Sequence, residues 1–246
     1  MKALDIDDSL AEPHACLGLG KSYYDWDWTG AEREFLHAIE LNPNSSTAHY
    51  WFTIPLVATA RVDEAIAYAR RAVEIEPLSL VVHTNLAGAL TAAGRYDEAI
   101  EAGRKAIELD PGFPLARWAL TLAYQQKGMH TEVIVELQEA FRLSGGSPLV
   151  LGWLGRAYGI SGQRDEAHKA LRELEQQSKR RYVAPFNLAL VYLGLGETER
   201  AFEWLEKSRE DRSFWLVYLI RFAPLFEGVR SDPRYQDLLR RMNLAP

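Results

Sequence analysis

Cysteine is nearly absent from this sequence: Cys16 is the single one in 246 residues. No intramolecular disulfide and no cysteine-rich metal cluster can be built from it, which fits a reducing compartment and makes the cytoplasm the expected location. The opening stretch MKALDIDDSL lacks the apolar core of a secretory leader. No apolar run approaches the thickness of a bilayer; the longest, Phe214 to Ile220, is far too short to span one. A basic excess is also missing. The formal net charge is −6, which argues against nucleic acid or an anionic membrane as the main partner. Lys179-Arg180-Arg181 and Arg240-Arg241 are short clusters of the kind usually found solvated at helix ends.

Signatures of catalysis are missing as well. Leu17-Gly18-Leu19-Gly20 lacks the third glycine and the preceding strand of a phosphate-cradling loop. Gly145-Gly146-Ser147 and Ser161-Gly162 do not fit a nucleophile elbow. The acidic pairs Glu136/Glu139 and Glu173/Glu175 have the spacing of ordinary solvated helix charges. His14, His49 and His83 hold one place in successive units. Equivalent positions on packed helices lie about 10 Å apart, whereas zinc–nitrogen bonds are about 2 Å, so these histidines are expected to pack rather than share an ion. The expectation is a chain with no catalytic residue, no cofactor and no metal.

What the chain does have is a period. Residues 80 to 113 read as two short helices. Leu86 and Leu90, with Ala87 beside them, mark the first; Gly94 breaks it, since glycine is costly inside a helix and tolerates the turn. Ala99, Ile100, Ala106, Ile107 and Leu109 mark the second on a 3.6-residue rhythm, with Asp97 as its expected cap and Pro111 as its stop. Steps of 34 residues recover the same features. The small residue recurs as Ala31, Ala65, Ala99, Val133, Ala167 and Ala201. The turn glycine recurs as Gly94, Gly128, Gly162 and Gly196. The first-helix apolar residue recurs as Phe52, Leu86, Leu120, Leu154 and Leu188, and the stop as Pro43, Pro77 and Pro111. A two-helix unit this small cannot bury its own apolar face, so it must stack on copies of itself.

This pattern resembles the tetratricopeptide repeat (TPR), whose period is 34 residues. Leu154-Gly155-x-x-Tyr158 followed by Ala167, and Leu188-Ala189-x-x-Tyr192 followed by Ala201, carry the resemblance most closely. It implies an all-α, right-handed α-solenoid of antiparallel helix pairs with no strand. Residues 1–10 are expected to be the tail of a truncated preceding repeat. Six repeats follow at 11–45, 46–79, 80–113, 114–147, 148–181 and 182–215, and 216–246 form a degenerate seventh repeat or C-terminal cap. Repeat one holds one residue too many, placed in the turn Tyr23-Tyr24-Asp25-Trp26-Asp27-Trp28, whose aromatics either fold back over the open end of the array or form a binding patch. Pro55 should kink the first helix of repeat two. Ser144-Gly145-Gly146-Ser147 replaces a proline stop and should be the softest joint. In the cap, Asp232-Pro233 should start a helix with Tyr235, Leu238, Leu239 and Met242 on its apolar side.

The runs Ser178 to Val183, Ala201 to Lys207 and Arg230 to Tyr235 also resemble the tails of bacterial multidomain signalling proteins. In these, such arrays follow winged-helix, protein kinase or nucleotide cyclase domains. None of those domains is in this sequence.

The resemblance implies that the first helices line a concave groove. On this chain the groove positions fall on Tyr50, Ile54 and Val57; Val81, Thr84, Asn85 and Gly88; Leu115, Trp118, Leu122, Gln125 and Gln126; Leu149, Trp153 and Arg156; and Val183, Phe186, Asn187, Leu190 and Leu193. The lysines and asparagines of a carboxylate clamp are missing except for Asn85. An apolar groove with Trp118, Trp153 and Phe186 in succession suits a neutral peptide or protein partner, and on this reading the two tryptophans can be truncated with little loss of stability. Two alternatives stand beside it: docking of the groove within its own chain or on another copy, and sensing of a small ligand.

Overall fold

The structure is a computed structural model and describes residues 9–220 and 223–244. Most of the expected tail of a preceding repeat, Met1 to Asp8, lies outside the described residues, as do Arg221 and Phe222. Twelve helices form six consecutive antiparallel pairs: α1 (Ala11–Gly20) with α2 (Trp28–Leu41), α3 (Ser46–Ala58) with α4 (Val62–Ile75), α5 (Leu80–Ala92) with α6 (Tyr96–Leu109), α7 (Pro114–Gln126) with α8 (His130–Leu143), α9 (Pro148–Ile160) with α10 (Arg164–Ser178), and α11 (Pro185–Leu195) with α12 (Thr198–Glu210). Three shorter helices follow: α13 (Phe214–Leu219), α14 (Ala223–Phe226) and α15 (Pro233–Arg241). The pairs stack into a right-handed α-solenoid, with no strand among the described residues.

The sequence period sets this geometry through two positions. The residue that leaves each first helix has a left-handed backbone. Gly94, Gly128, Gly162 and Gly196 occupy it with φ of +75°, +70°, +79° and +72°, while Ala60 and Trp26 hold the same register place at 64° and 52°. The small residue on each second helix is buried against its partner: Ala31, Ala65, Ala99, Ala167 and Ala201 are fully enclosed. Ala167→Leu should therefore cost about 1–3 kcal/mol by overpacking, with the loss concentrated in neighbouring pairs. A melt indistinguishable from the parent's would mean that the α9–α10 contact is looser than described.

Local details differ from expectation in informative ways. Asp97 does not cap α6. Arg95 occupies the cap position without a side-chain hydrogen bond, and Asp97 sits inside the first turn beside Glu98, where its charge favours the helix N-terminus, and pairs with Lys127. The extra residue of repeat one is absorbed by a π-helical turn, Lys21–Asp25, after which the Asp27 carboxylate accepts from Gly30 N at 2.9 Å and starts α2. Helix α3 is continuous across Pro55. His49 and His83 each bond the carbonyl of the stop proline six residues back, Pro43 at 3.0 Å and Pro77 at 2.9 Å. At the Gly145-Gly146 joint both glycines are left-handed, and Gln177 and Arg181 of the next pair reach back to the Gly146 carbonyl.

Stacking is uneven along the array. Helices α9 and α11 touch at backbone level, because Gly152, Gly155 and Gly159 face Asn187, Val191 and Gly194. By contrast Trp118 on α7 and Trp153 on α9 meet as a T-shaped pair, ring centroids 5.7 Å apart, so two large side chains fill the space at that joint. At the C-terminus α15 packs on α12. Asp232 accepts from Arg234 N, Tyr235, Leu238, Leu239 and Met242 are buried, and Arg234 and Arg241 pair with Glu199 and Glu206.

Helix α13 departs from the repeat register. It does not stack outside α11 as the next first helix would. It crosses the concave side of the array to α3 and the π-helical turn. The two ends of the array are then tied together: Trp28 Nε1 donates to Met242 O at 2.9 Å, Asn243 Nδ2 to Trp26 O at 3.3 Å, and Arg212 lies 4.0 Å over the Trp26 ring. Tyr23 and Trp26 are accordingly buried, not over the N-terminal end of the stack but against the C-terminal segment, while Tyr24 stays exposed.

Candidate binding groove

The groove-facing side chains are held by the first helices of five pairs, α3, α5, α7, α9 and α11. Segment 213–220, hereafter the strap, lies against three of them, α3, α5 and α7, and against the π-helical turn. Trp215 packs edge-on against Trp118, centroids 5.1 Å apart. Phe214 stacks on Tyr23 at 4.4 Å. The Tyr218 hydroxyl comes so close to Gly88 that a Cβ there would lie 2.7 Å from it. Leu216, Val217, Leu219 and Ile220 are buried. The Tyr218 ring can reach α5 here because Gly88 has no side chain.

The expected site residues are therefore mostly enclosed. Trp118, Trp153 and Phe186 are 4%, 3% and 0% exposed. Ile54, Leu122, Leu190, Asn85, Asn187 and Arg156 are buried too, Tyr50, Thr84, Leu115 and Gln125 are half-buried, and Val81 alone of the fourteen stands exposed. The aromatic strip is not open, so truncating its tryptophans cannot be neutral for stability. Thr84 is turned onto its own helix, donating to Leu80 O, and the Asn85 amide donates to Thr53 Oγ1 at 2.9 Å. Arg156 donates to Gln125 Oε1 at 2.6 Å, and burial brings its guanidinium down to about 10. With Gln126, Thr198, Leu225 and Glu227 to Val229 it borders a pocket of ≈ 510 Å³.

The enclosure is incomplete in its polar bonding. The Trp118 and Trp153 indole N–H groups and the side-chain oxygens of Asn85 and Asn187 are buried without a partner. A buried unpaired group of this kind costs about 1–3 kcal/mol. The docked strap leaves all four unpaired.

Strap residues Phe214, Trp215 and Tyr218, with Tyr23 facing them, are site residues that the repeat register does not assign. The signal available for them is the run Phe214 to Ile220 itself, the longest apolar stretch of the chain. Its tyrosines make the closure sensitive to alkali. Burial pushes the Tyr218 phenol up to about 12, and burial, reinforced by Tyr218 and Tyr50, pushes Tyr23 well above the ordinary 10.0. A phenol with a raised folded-state pKa stabilises the fold fully below its unfolded pKa, and that contribution is lost as pH rises through the folded value. The melting temperature should fall between pH 10 and 12, and Tyr218→Phe should flatten part of the fall. An unchanged profile would place Tyr218 in water.

Family models match the chain in three places: one described as tetratricopeptide repeat over residues 56–102, one as TPR repeat over 87–128, and a further tetratricopeptide repeat model over 154–213. No curated protein sequence matches. Among solved structures, PilF of Pseudomonas aeruginosa is similar with a TM-score of 0.57 at 18% identity, covering 96% of this chain and 98% of that one. PilW, a type IV pilus biogenesis factor, gives 0.61 at 17% identity over 83% of this chain and 94% of its own. Cut9, in its complex with Hcn1, gives 0.64 at 19% identity over 98% of this chain and 44% of its own. At these identities the likeness is one of fold.

Proposed function

The chain belongs to the tetratricopeptide repeat family, and from that premise we propose that it is a non-catalytic scaffold whose concave groove is a docking site held shut by the chain's own strap, residues 213–220. Repeat arrays of this family serve protein–protein interaction in general; the identity of the groove's occupant is the specific part of the proposal. The observation that carries it is the packing of Trp215 on Trp118, with Trp153 next to it in the same enclosure.

Two features favour a displaceable strap over a permanent core. Helix α13 has six residues, too few to be stable by itself. The groove also keeps four buried polar atoms unpaired beneath it. A neutral partner segment with aromatic side chains and free backbone groups gains the same apolar contacts and pairs those atoms as well. Because the charges at the groove are few, its affinity should change little with moderate salt.

The test uses a labelled peptide with the sequence of residues 213–220, extended by lysines for solubility. The protein carrying Trp215→Ala and Tyr218→Ala should bind it in trans about tenfold or more tightly than the parent does, because its own strap competes less. Equal binding by both would remove the strap as a gate. No binding by either would remove the groove as a docking site.

A further inference from the structure

Arg156 belongs to a second site as well. The pocket of ≈ 510 Å³ that it borders has no strap residue in its wall. The C-terminal ends of α7, α9 and α11 build that wall together with the 3₁₀ turn Glu227–Val229. Its volume is that of a small-molecule site.

Three features of the wall select a ligand. The first is a buried cation. Arg156 is 5% exposed, and its Nη1 donates to Gln125 Oε1 at 2.6 Å. Gln125 lines the same pocket and is only half-buried. Its amide oxygen marks a place that a carboxylate oxygen can take. A guanidinium favours a carboxylate over a neutral amide, because the bond is then charge-assisted and can be doubled across the planar fork. Helices α8 and α12 start on the same wall, at His130 and Thr198, and their N-termini add partial positive charge.

The second feature is a carboxylate. Glu227 is exposed, and it and Arg156 carry the only permanent charges among the described lining residues. The third is the apolar lining, which is aliphatic throughout: Ile160, Leu193, Leu225 and Val229. A dicarboxylate is repelled by Glu227 and a simple amine by Arg156. A zwitterion meets neither penalty.

We propose that this pocket binds a free α-amino acid with an aliphatic side chain. The carboxylate takes the place of Gln125 Oε1 on Arg156, the ammonium pairs with Glu227, and the side chain lies on the aliphatic wall. Burial brings the Arg156 guanidinium down to about 10. An opposite charge beside it favours the charged form again, and that gain contributes to affinity. A peptide C-terminus supplies the carboxylate without a cation next to it, so it is the weaker ligand.

Isothermal titration of the parent with L-leucine should show saturable binding. N-acetyl-L-leucine, which lacks the ammonium, and L-leucinamide, which lacks the carboxylate, should each bind about tenfold or more weakly. Glu227→Gln, on an exposed side chain, should weaken L-leucine about tenfold at unchanged melting temperature and leave N-acetyl-L-leucine no weaker. Arg156→Gln should remove binding of both acids; the Glu227 comparison decides the matter by itself if that variant does not fold. Absence of saturable L-leucine binding, equal binding of the acetylated control, or indifference to Glu227→Gln overturns the proposal. None of these outcomes touches the gate, which is tested by the strap peptide and Trp215; conversely, failure of the gate leaves the leucine results standing.

Discussion

Gly194→Val should cost the protein about 3 kcal/mol or more, beyond the ordinary range for overpacking, because the collision is with backbone. A Cβ at Gly194 would lie 2.4 Å from the Arg156 carbonyl oxygen and 2.7 Å from Arg156 Cα. Across the same contact, a Cβ at Gly159 would come within 2.5 Å of the Gly194 carbonyl carbon. No rotamer relieves such a contact; the helices must separate, and the buried Arg156 and Leu190 between them lose their packing. For a chain of this size, a 3 kcal/mol loss lowers the melting temperature by about 6–12 °C. Gly20→Ala is the matched control. Nothing lies within 4 Å of a Cβ there, so the change should be neutral or stabilising by up to about 1 kcal/mol through helix propensity. A Gly194→Val protein that melts with the parent would show that α9 and α11 do not meet at their backbones.

Trp118→Ala is the second large effect. With the ring packed between Trp153 and Trp215, its removal should cost about 3–5 kcal/mol, the usual range for truncating a buried aromatic, and should also free the strap. A groove open to solvent makes the opposite prediction, of unchanged melting. Val81→Ala, on the one exposed member of the expected groove set, should stay within about 0.5 kcal/mol. Thermal melts of the two variants beside the parent separate these cases.

These two sites also show where the sequence stops being informative. The solenoid is legible because one physical requirement, a small residue where paired helices cross, is stated again at each step from Ala31 to Ala201 except Val133. Repetition averages away local ambiguity. The glycine contact between α9 and α11 is half legible: Gly152, Gly155 and Gly159 share one helix face, yet only the pairing with Gly194 gives the stripe its meaning. The strap is the least legible element. An apolar run such as Phe214 to Ile220 suits the next first helix of the array and an inward-folding plug equally well. What selects the second is contact with Trp118 and Gly88, far away in the chain, and no local periodicity encodes a contact of that range. The aromatic turn of repeat one is a related case. Its rings need cover, but the cover comes from Arg212 and the C-terminal residues.

The position of the strap is the central claim, and amide hydrogen exchange resolved to residues 214–220 tests it most directly. An isolated six-residue helix exchanges at nearly the unprotected rate. Docked as described, the amides of Val217 to Ile220 should be protected strongly in the parent and should lose that protection in Gly88→Leu, where the Tyr218 ring has no room, while α11 remains protected. Exchange of 214–220 at the unprotected rate in the parent, with the six helix pairs intact, would contradict the account and leave the groove open.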